Sequence, residues 1–400
     1  MDMSTTSRTV FSQRANRLTS SAIREILKIT ERPEVISFAG GLPSPAGFPV
    51  AQLKAGFDRV LETQPELALQ YGRTEGYTPL REWVARQMSR EGAPVDTEEV
   101  LIVSGSQQAL DMLGKLFIDP GSRVLVEAPS YLGALQSFSL FEPQFQAVPT
   151  DARGLVAEGL DEDLTRGARF IYVLPNFQNP TGLTLDRERR QTLVDRCAEL
   201  GLPIIEDDPY GELRYAGEPQ PSLLRLGRAA GATVIRLGTF SKVLAPGLRL
   251  GYVVAPREII SKLVQIKQAT DLHTAMVTQM AVFEAVRTGF LETHLPKVRA
   301  LYQQQCGYML DALQAHFPTD AQWTRPQGGM FIWVTLRPGI DTTALLQSAI
   351  ARNVAFVPGA PFYAGVRAPV NTLRLSFVTV PEVRIRTGVQ ILGELIGPAE

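Results

Sequence analysis

The sequence predicts an α/β fold, in which a large domain contains a mainly parallel, doubly wound sheet and a smaller domain is α+β. Two observations support this prediction. From about residue 100 to residue 290, short apolar runs alternate with longer amphipathic stretches, the pattern of parallel strands that helices cover on both faces. After about residue 290 the helical stretches lengthen and strand-like runs become fewer, which indicates a separate domain.

Six apolar runs are predicted to be strands of the large sheet: residues 100–104, 123–127, 170–174, 203–206, 233–238 and 250–254. Helices are predicted between them, for example at 106–117 and 186–200. In the second region we predict helices at 291–317, at 342–352 and from 381, with strands at 329–335 and 372–378. A short helix is expected at 19–30 and an extended loop at 40–49, where the sequence is GGLPSPAGFP.

Composition limits the classes of function. The chain has 400 residues, 44% of them apolar and 20% charged, as expected of a globular enzyme with two packed domains. A net charge of −1 gives no basic field, so we expect neither nucleic acid nor a membrane surface as partner. No run reaches the ~18 apolar residues of a membrane span, and residues 1–17 lack the apolar segment of a secretory signal. The expected location is the cytoplasm.

Cysteine, histidine and lysine are all scarce. The two cysteines and three histidines show no metal-ligand spacing, so we expect free thiols and no bound metal. The lysines, which limit the candidates for amine chemistry, stand at seven positions: 28, 54, 115, 242, 262, 267 and 297.

One of these lysines follows a predicted strand. Lys242 ends the sequence Thr-Phe-Ser-Lys, and Arg249 stands seven residues later, behind a Pro-Gly pair. An arginine there can fold back beside the lysine, with the hydroxyl groups of Thr239 and Ser241 also in reach. An amine beside an anion site suits pyridoxal 5′-phosphate (PLP), which has an aldehyde and a phosphate. The alternative is a surface lysine in an ordinary turn.

A second candidate phosphate site lies where the first predicted strand meets a helix. In Ser104-Gly-Ser-Gln, the glycine allows close approach of a ligand to the backbone, and Ser106 and Gln107 open the helix. A helix N-terminus presents free N–H groups and the positive end of its dipole to an anion. By itself, Ser106 would be interpreted as a helix cap.

Three acids end another predicted strand, in the order Glu206, Asp207 and Asp208, followed by Tyr210. Buried acids are costly unless they meet a cation. In a PLP site, an aspartate facing the pyridine nitrogen would keep that nitrogen protonated. We assign Asp207 this role and expect Tyr210 near the cofactor's phenolic oxygen. A cluster of helix caps would explain one of the acids but not all three.

Two further candidates also follow predicted strands. Asn179 lies in Asn-Pro-Thr-Gly, a tight turn that fixes the direction of the amide group. Tyr131, in Ala-Pro-Ser-Tyr, could stack on a flat ring. Ligands of doubly wound sheets bind at the carboxyl ends of the strands. A purely structural turn remains the alternative for Asn179.

These residues resemble the fold-type I PLP enzymes, the aspartate aminotransferase superfamily, and within it most closely the 2-aminoadipate and kynurenine/aminoadipate aminotransferases. The motifs that carry the resemblance run in order through nearly the whole chain: SSAIREILKIT, SFAGGLPSP, LQYGRTEGYTPLR, VSGSQQALDMLGK, EAPSYLGAL, NFQNPTG, IEDDPYGEL, GTFSKVLAPGLRLGY, KQATDLHT, RPQGGMFIW, NVAFVPGAPFY and NTLRLSF. Within such a fold we expect an N-terminal arm and helix (1–45) that belongs partly to the small domain and covers the substrate. The large PLP-binding domain would span 46–290 and the small domain 291–400.

The resemblance implies a role for each candidate residue. Lys242 would carry the cofactor as a Schiff base and serve as acid and base, while Asp207 would pair with the pyridinium. Tyr210 and Asn179 would hydrogen-bond the phenolic oxygen. The phosphate would be held by Ser106, Gln107, Ser241 and Arg249, with Thr239 supplying a hydroxyl where relatives often have serine.

The resemblance also implies how substrates bind. Arg374 would take the α-carboxylate as a bidentate pair, aided by the Gly40 backbone and near Asn179. Tyr71 would reach the site of a neighbouring subunit, so the active unit should be a homodimer. Arg24, with Ser21 one turn earlier, matches a position that can meet a distal carboxylate in the aminoadipate subgroup. The alternative for Arg24 is a solvated helix arginine.

The implied activity is ping-pong exchange of amino groups between amino acids and 2-oxo acids. The expected pair is 2-aminoadipate and 2-oxoglutarate, on a route to lysine, with aromatic or branched-chain amino acids also accepted. A PLP-dependent C–S lyase or decarboxylase could use most of the same groups. A regulatory aminotransferase-like module is a further alternative, which the short N-terminal segment disfavours.

Overall fold

The computed structural model describes residues 11–16, 26 and 32–398. At the centre of this part of the chain lies a seven-stranded sheet, so the predicted α/β architecture with a mainly parallel sheet is confirmed. The strands of this sheet are, in spatial order, Val100–Val103, Gly251–Val254, Val234–Thr239, Ile204–Asp207, Ala168–Val173, Arg123–Val126 and Gln144–Ala147. Only Gly251–Val254 runs antiparallel to its neighbours.

The strand at one edge of the sheet was not predicted. Gln144–Ala147 pairs in parallel with Arg123–Val126, but it is half-buried to exposed along its length. Its sequence Gln-Phe-Gln-Ala therefore lacks the continuous apolar run by which the inner strands are recognised.

The sheet is covered on both faces. Alternate residues of a strand point to opposite faces, and Leu101 and Val103 accordingly lie in one hydrophobic cluster while Val100 and Ile102 lie in another. The α-helices of this region are Val50–Thr63, Pro65–Leu69, Thr78–Arg90, Ser106–Phe117, Leu132–Ser139, Glu162–Thr165, Arg187–Glu199, Leu223–Ala230, Arg257–Thr270 and Met276–Val286. Such covering on both faces is the doubly wound arrangement.

A second, smaller sheet lies in the C-terminal region. It is antiparallel and contains, in spatial order, Gln322–Trp323, Phe331–Thr335, Thr372–Ser376 and Val357–Pro358. The helices of this region are Phe290–His316, Thr342–Ala351 and Glu382–Ile396. The N-terminal strand Ile36–Ser37 pairs in parallel with Val354–Ala355. This pairing attaches the segment that follows residue 37 to the C-terminal region.

The remaining elements are short. A hairpin joins Thr150–Asp151 to Gly154–Leu155, and a single helical turn covers Gln13–Asn16. The 3-10 helices are Pro45–Gly47, Thr97–Glu99, Ala157–Gly159, Gly211–Leu213, Pro246–Leu248 and Ala360–Phe362.

Two predictions about the N-terminal region have different outcomes. The prediction of an extended loop at 40–49 was wrong at Pro45–Gly47, where the Gly47 N–H donates to the Ser44 carbonyl over 3.0 Å and closes a 3-10 turn. A proline suits the first turn of a helix because it has no N–H that needs a partner there.

The helix predicted at 19–30 lies outside the described residues except for Ile26, which is helical and buried. The domain limits stay predictions.

Within the described ranges, no helix is both long and apolar enough to cross a membrane. The two cysteines, Cys197 and Cys306, are free and buried.

A fully buried arginine ties the loop after strand Ala168–Val173 to the helix that follows it. Arg190 lies on helix Arg187–Glu199, and its Nε donates to the Leu185 carbonyl over 2.7 Å. One Nη donates to the Pro175 carbonyl and to Asn176 Oδ1, each over 2.7 Å, so both ends of the loop that carries Asn179 are held. Burial lowers the pKa of Arg190 to about 10.

We expect Arg190→Met to lower the free energy of unfolding by about 3 kcal/mol, because it removes the arginine donor from buried oxygen atoms such as the Leu185 carbonyl and Asn176 Oδ1. Urea unfolding monitored by circular dichroism measures this loss. The exposed Arg187 lies on the same helix, and Arg187→Met is the control. Equal effects of the two substitutions would contradict the role given to Arg190.

Candidate active site

Three loops meet at the carboxyl edge of the central sheet. The parallel strands Ala168–Val173, Ile204–Asp207 and Val234–Thr239 are neighbours, so the segments that follow them lie side by side. These segments carry Asn179, Tyr210 and Lys242. The tertiary structure thus brings together candidates that are far apart in the sequence.

Lys242 is half-buried in the turn after Val234–Thr239. Its Nζ donates to the Gly41 carbonyl over 2.9 Å. Burial, together with the positive charges of Arg249 and Arg374, lowers the pKa of Lys242 to about 8. A much larger fraction of this amine is therefore neutral and nucleophilic near neutral pH than for an ordinary lysine.

Arg249 and a helix N-terminus together form a site suited to an anion. An Nη of Arg249 lies 3.5 Å from the Ser104 carbonyl oxygen, beside Gly105 and the start of helix Ser106–Phe117. Gly105 has φ +85°, and a Cβ there would stand only 2.6 Å from that guanidinium. Glycine is thus favoured by the backbone angle, and a side chain at 105 would displace the guanidinium of Arg249. Free N–H groups and a guanidinium at one place favour a phosphate.

The hydroxyl groups predicted for this site are adjacent. Thr239 Oγ1 donates to Ser241 Oγ over 3.0 Å and also receives the Ser241 N–H over 3.1 Å. Ser106 is the first residue of helix Ser106–Phe117. The side chain of Gln107 instead donates to the Gly133 carbonyl over 3.0 Å, which links this helix to the loop of Tyr131.

The three acids of the strand Ile204–Asp207 and its end have three different environments. The two carboxylate oxygens of Glu206 accept the N–H groups of Leu223 and Leu224 over 2.8 and 2.9 Å, so Glu206 caps helix Leu223–Ala230. Asp208 pairs with Arg236 over 3.0 Å. The helix-cap alternative therefore holds for Glu206 and an ion pair explains Asp208, while Asp207 meets no cation among the described residues.

Asp207 is buried, with two unlike oxygens. Oδ2 accepts the hydroxyl of Tyr172 over 2.7 Å, whereas Oδ1 is buried without a hydrogen-bond partner. Burial raises the pKa of Asp207 to about 7. A buried acceptor without a partner is unfavourable in a protein that has nothing else to bind there, so this oxygen is available to a donor on a ligand.

Arg374 enters the site from the C-terminal sheet. It donates to Asn179 Oδ1 over 2.8 Å and to the Ala39 carbonyl over 2.6 Å, and its Nε is buried without a partner. Its guanidinium carbon lies 4.3 Å from the centre of the Phe331 ring. Burial lowers the pKa of Arg374 to about 10. No carboxylate pairs with it in the described part of the chain, so an anionic ligand would relieve its burial.

Two tyrosines complete this part of the site. Tyr210 is buried and shares a side-chain hydrogen bond with Asn179, and burial raises its pKa above the ordinary value. Burial and the nearby charge of Asp207 raise the pKa of Tyr131 to about 12. A Cβ on Gly133 would lie 2.4 Å from the Tyr131 ring, so glycine at 133 makes room for that ring. Both phenols stay protonated near neutral pH.

The remaining sequence candidates are Gly40, Tyr71, Ser21 and Arg24. Gly40 sits between Ala39 and Gly41, whose carbonyls accept from Arg374 and Lys242. Tyr71 is 78% exposed, and its ring makes an edge contact with the ring of His273. Ser21 and Arg24 lie outside the described residues.

Several residues of the site were not predicted. Tyr172 had a signal in the sequence, because a tyrosine inside an apolar strand needs a partner for its hydroxyl. The carbonyl groups of Ala39 and Gly41 had none, since any residue type provides a carbonyl. Phe331 was predicted only as part of a strand, with no indication that it would face an arginine.

The residues present fit PLP. A ring nitrogen that carries a proton needs an acceptor, and Asp207 Oδ1 is a buried acceptor without a partner. A phosphate needs cations and N–H groups, which Arg249 and the start of helix Ser106–Phe117 provide. An aldehyde needs an amine that loses its proton readily, and the lowered pKa of Lys242, about 8, provides one.

Comparison with known proteins identifies the family. The family model described as aminotransferase class I and II matches residues 43–392. The chain belongs to this family. The predicted enzyme class, an aminotransferase, and the predicted cofactor, PLP, are confirmed, and the substrates of such enzymes are amino acids and oxo acids.

Several relatives resemble this aminotransferase over nearly its whole length. A 2-aminoadipate transaminase of Thermus thermophilus is 47% identical over 388 residues, which are 96% of each chain. Aromatic-amino-acid aminotransferase 1 of Thermococcus litoralis is 44% identical over 96% of this chain and 94% of its own length. The crystal structure of an α-aminoadipate aminotransferase of T. thermophilus, complexed with N-(5′-phosphopyridoxyl)-L-leucine, is 46% identical and has a TM-score of 0.89 over 96% of this chain and 97% of that chain. The predicted fold type is confirmed.

We expect Asp207→Asn to stabilise the cofactor-free aminotransferase, and more so at pH 8 than at pH 5. The pKa of Asp207 is about 7 in the folded protein, against an ordinary value of 3.8. As pH rises through this window, the unfolded chain releases a proton that the folded chain retains, so the folded state loses stability. Asparagine removes this loss, which amounts to a few kcal/mol at most, about 1.4 kcal/mol for each pKa unit.

Urea unfolding of the cofactor-free proteins at the two pH values measures this difference. The exposed Asp311 on helix Phe290–His316 provides the control, Asp311→Asn, which should show no such dependence. A stabilisation by Asp207→Asn that does not grow with pH would contradict the raised pKa.

Proposed function

We propose that this chain exchanges amino groups between amino acids and 2-oxo acids in two half-reactions, with Lys242 as the residue that binds the cofactor and moves the substrate proton. The observation that carries the proposal is that one site contains both an amine of lowered pKa, Lys242, and a buried carboxylate oxygen without a hydrogen-bond partner, Asp207 Oδ1. When bound, PLP supplies an aldehyde that captures amines and a ring that accepts the electrons left by a lost Cα proton. Binding, orientation and proton transfer would be carried out by residues of the chain.

Lys242 is suited to act as base and then as acid. An amine with a pKa near 8 accepts and returns a proton near neutral pH with little difference in free energy. Asp207 Oδ1 would accept a hydrogen bond from the protonated ring nitrogen. Tyr210 and Asn179 would donate to the phenolic oxygen, and the Tyr131 ring would cover the face of the cofactor.

A separate group of residues would hold the phosphate: Ser106, Gln107, Thr239, Ser241 and Arg249. Gln107 would have to release the Gly133 carbonyl, or act only by holding that loop, since its amide donates there. Arg249 provides a charge that no carboxylate of the described chain neutralises.

Arg374 would bind the substrate's α-carboxylate. It now donates to the Ala39 carbonyl and to Asn179, and a bidentate carboxylate is a stronger acceptor than either. The Gly40 backbone lies next to this contact and would assist. Because Arg374 holds the α-carboxylate whatever the side chain, it contributes equally to the binding of all amino acids.

For the substrate pair we propose 2-aminoadipate and 2-oxoglutarate, in a route to lysine, with aromatic or branched-chain amino acids also accepted. The similarity to a 2-aminoadipate transaminase and to an aromatic-amino-acid aminotransferase, at 47% and 44% identity, supports both parts. Arg24, with Ser21, would meet the distal carboxylate. An arginine on a segment able to turn away would let apolar side chains bind instead.

We further propose that the active unit is a homodimer and that the location is the cytoplasm. The exposed ring of Tyr71 supports the dimer, because a tyrosine so exposed is free to reach the phosphate and substrate of a neighbouring subunit. Exposed apolar side chains of the same region, Leu61, Leu67, Leu69 and Leu272, would be buried by such an association.

Lys242→Ala should abolish turnover, the visible absorbance of the bound cofactor and the adduct that borohydride traps at position 242. General acid–base catalysis alone accelerates a reaction about a hundredfold to ten-thousandfold, and loss of the covalent bond to the cofactor would lower the rate further. Absorbance spectra, peptide mapping after borohydride and product analysis measure the three losses. The exposed Lys262 gives the control, Lys262→Ala. A Lys242→Ala protein that stayed yellow and active would refute the proposal.

Arg24→Ala should lower kcat/KM for 2-aminoadipate and glutamate about tenfold to a hundredfold, which is the effect of losing one charged hydrogen bond. The kcat/KM for leucine and phenylalanine should hardly change. Half-reactions followed by the cofactor spectrum, one amino acid at a time and without oxo acid, measure this. The exposed Arg32 serves as control through Arg32→Ala. Equal losses for both substrate classes would argue against a distal-carboxylate role.

A further inference from the structure

The two carboxylate oxygens of Asp207 differ in their hydrogen bonding. Oδ2 is occupied by the Tyr172 hydroxyl at 2.7 Å, and Oδ1 has no partner in the protein. A carboxylate can rotate about its last bond, so two equivalent oxygens would leave its direction undefined. A single strong donor on one oxygen fixes the direction of the other.

The register of the sheet explains why Tyr172 reaches this carboxylate. Tyr172 pairs with Ile205 on the neighbouring parallel strand. Residues two apart on a strand point to the same face, so Asp207 shares the face of Ile205 and of Tyr172. The ring of Tyr172 then spans the diagonal between the two positions. Glu206, one residue earlier, points to the opposite face, where it caps helix Leu223–Ala230.

The tyrosine itself has little freedom. Its ring is 0% exposed and makes an edge contact with the ring of Phe138, with centroids 5.7 Å apart. Burial and the charge of Asp207 raise its pKa well above the ordinary value. The hydroxyl therefore remains a donor at any pH at which the protein works, and its only hydrogen-bond partner in the described structure is Asp207.

We propose that Tyr172 is a positioning residue of the aminotransferase reaction, whose hydroxyl holds Asp207 Oδ2 so that Oδ1 is directed at the ring nitrogen of the cofactor. This inference rests on the proposed function, in which Asp207 accepts the proton-bearing nitrogen. Tyr172 touches neither substrate nor cofactor in this scheme. It acts through the aspartate alone.

The hydrogen bond also favours the ionised form of Asp207. Burial raises the pKa of this acid, and the bond from Tyr172 is the largest influence that lowers it. Without the hydroxyl, both oxygens would be buried and without a donor from the protein, a condition that favours the protonated acid. A protonated Asp207 cannot keep the ring nitrogen protonated, so the cofactor would be a weaker electron acceptor.

A double-mutant cycle tests the proposal. Tyr172→Phe keeps the ring and its contact with Phe138, so we expect the protein to fold. The rate of the half-reaction at saturating amino acid and saturating cofactor should fall about tenfold to a hundredfold, as for a lost charged hydrogen bond. The amino-acid concentration at half-maximal rate should hardly change, because Arg374 is untouched. In the Asp207→Ala background, the same substitution should have no further effect.

A spectroscopic measurement adds a readout that does not depend on turnover. With cofactor labelled with ¹⁵N at the ring, the nitrogen signal of the wild type should be that of a protonated pyridine. In Tyr172→Phe it should move toward that of the neutral ring. Tyr302 has a hydroxyl that is buried elsewhere and receives the Ser44 N–H over 3.0 Å. As control, Tyr302→Phe should leave the nitrogen signal unchanged and should not couple to Asp207→Ala.

Two results would overturn the proposal: an unchanged rate in Tyr172→Phe, or the same fractional loss with and without Asp207. Borohydride labelling of position 242 in each protein separates this failure from failure of the proposed function. If the wild type is labelled but Tyr172→Phe and Asp207→Ala show no coupling, only the proposed role of Tyr172 is wrong. If the wild type is not labelled at all, the proposed function itself falls.

Discussion

The structure depends on keeping one carboxylate buried without a cation of its own. Asp207 ends a central strand, where burial raises its pKa to about 7, and its Oδ1 has no donor in the protein. Such a group is tolerable only if a ligand completes it and if its neighbours are satisfied elsewhere. Glu206 and Asp208 meet this second condition, because a helix N-terminus takes one and Arg236 takes the other.

Among the described residues, the cationic side chains of the site also have no anionic partner. Lys242 and Arg374 are both directed at backbone carbonyls of residues 39–41, which are weaker partners than an anion. The segment is held there because strand Ile36–Ser37 pairs with Val354–Ala355. The site thus combines a buried acid, one oxygen of which has no hydrogen-bond donor, with cations that have no anionic partner in the described part of the chain. The cofactor and substrate together carry a protonated ring, a phosphate and a carboxylate, and these groups complement the site.

The sequence predicted the inner strands and most long helices to within about two residues, because apolar strands and amphipathic helices have distinct periodicities. The sequence also indicated Lys242, Asp207 and Asn179 as candidates for chemistry, because each lies at or after the end of an apolar strand. Prediction failed where the pattern is weak. Strand Gln144–Ala147 lies half-exposed at the edge, and the short turn at Pro45–Gly47 has no periodicity.

By itself, therefore, the sequence determined the fold class, the family and the residue types available for chemistry, because these depend on local periodicity and on the order of motifs. Only the tertiary structure decided which acid stays without a partner and which tyrosine holds it. The register between strands Ala168–Val173 and Ile204–Asp207 places Tyr172 beside Asp207, and Glu206 faces away from both. Register depends on contacts between segments distant in sequence, and no local pattern contains it.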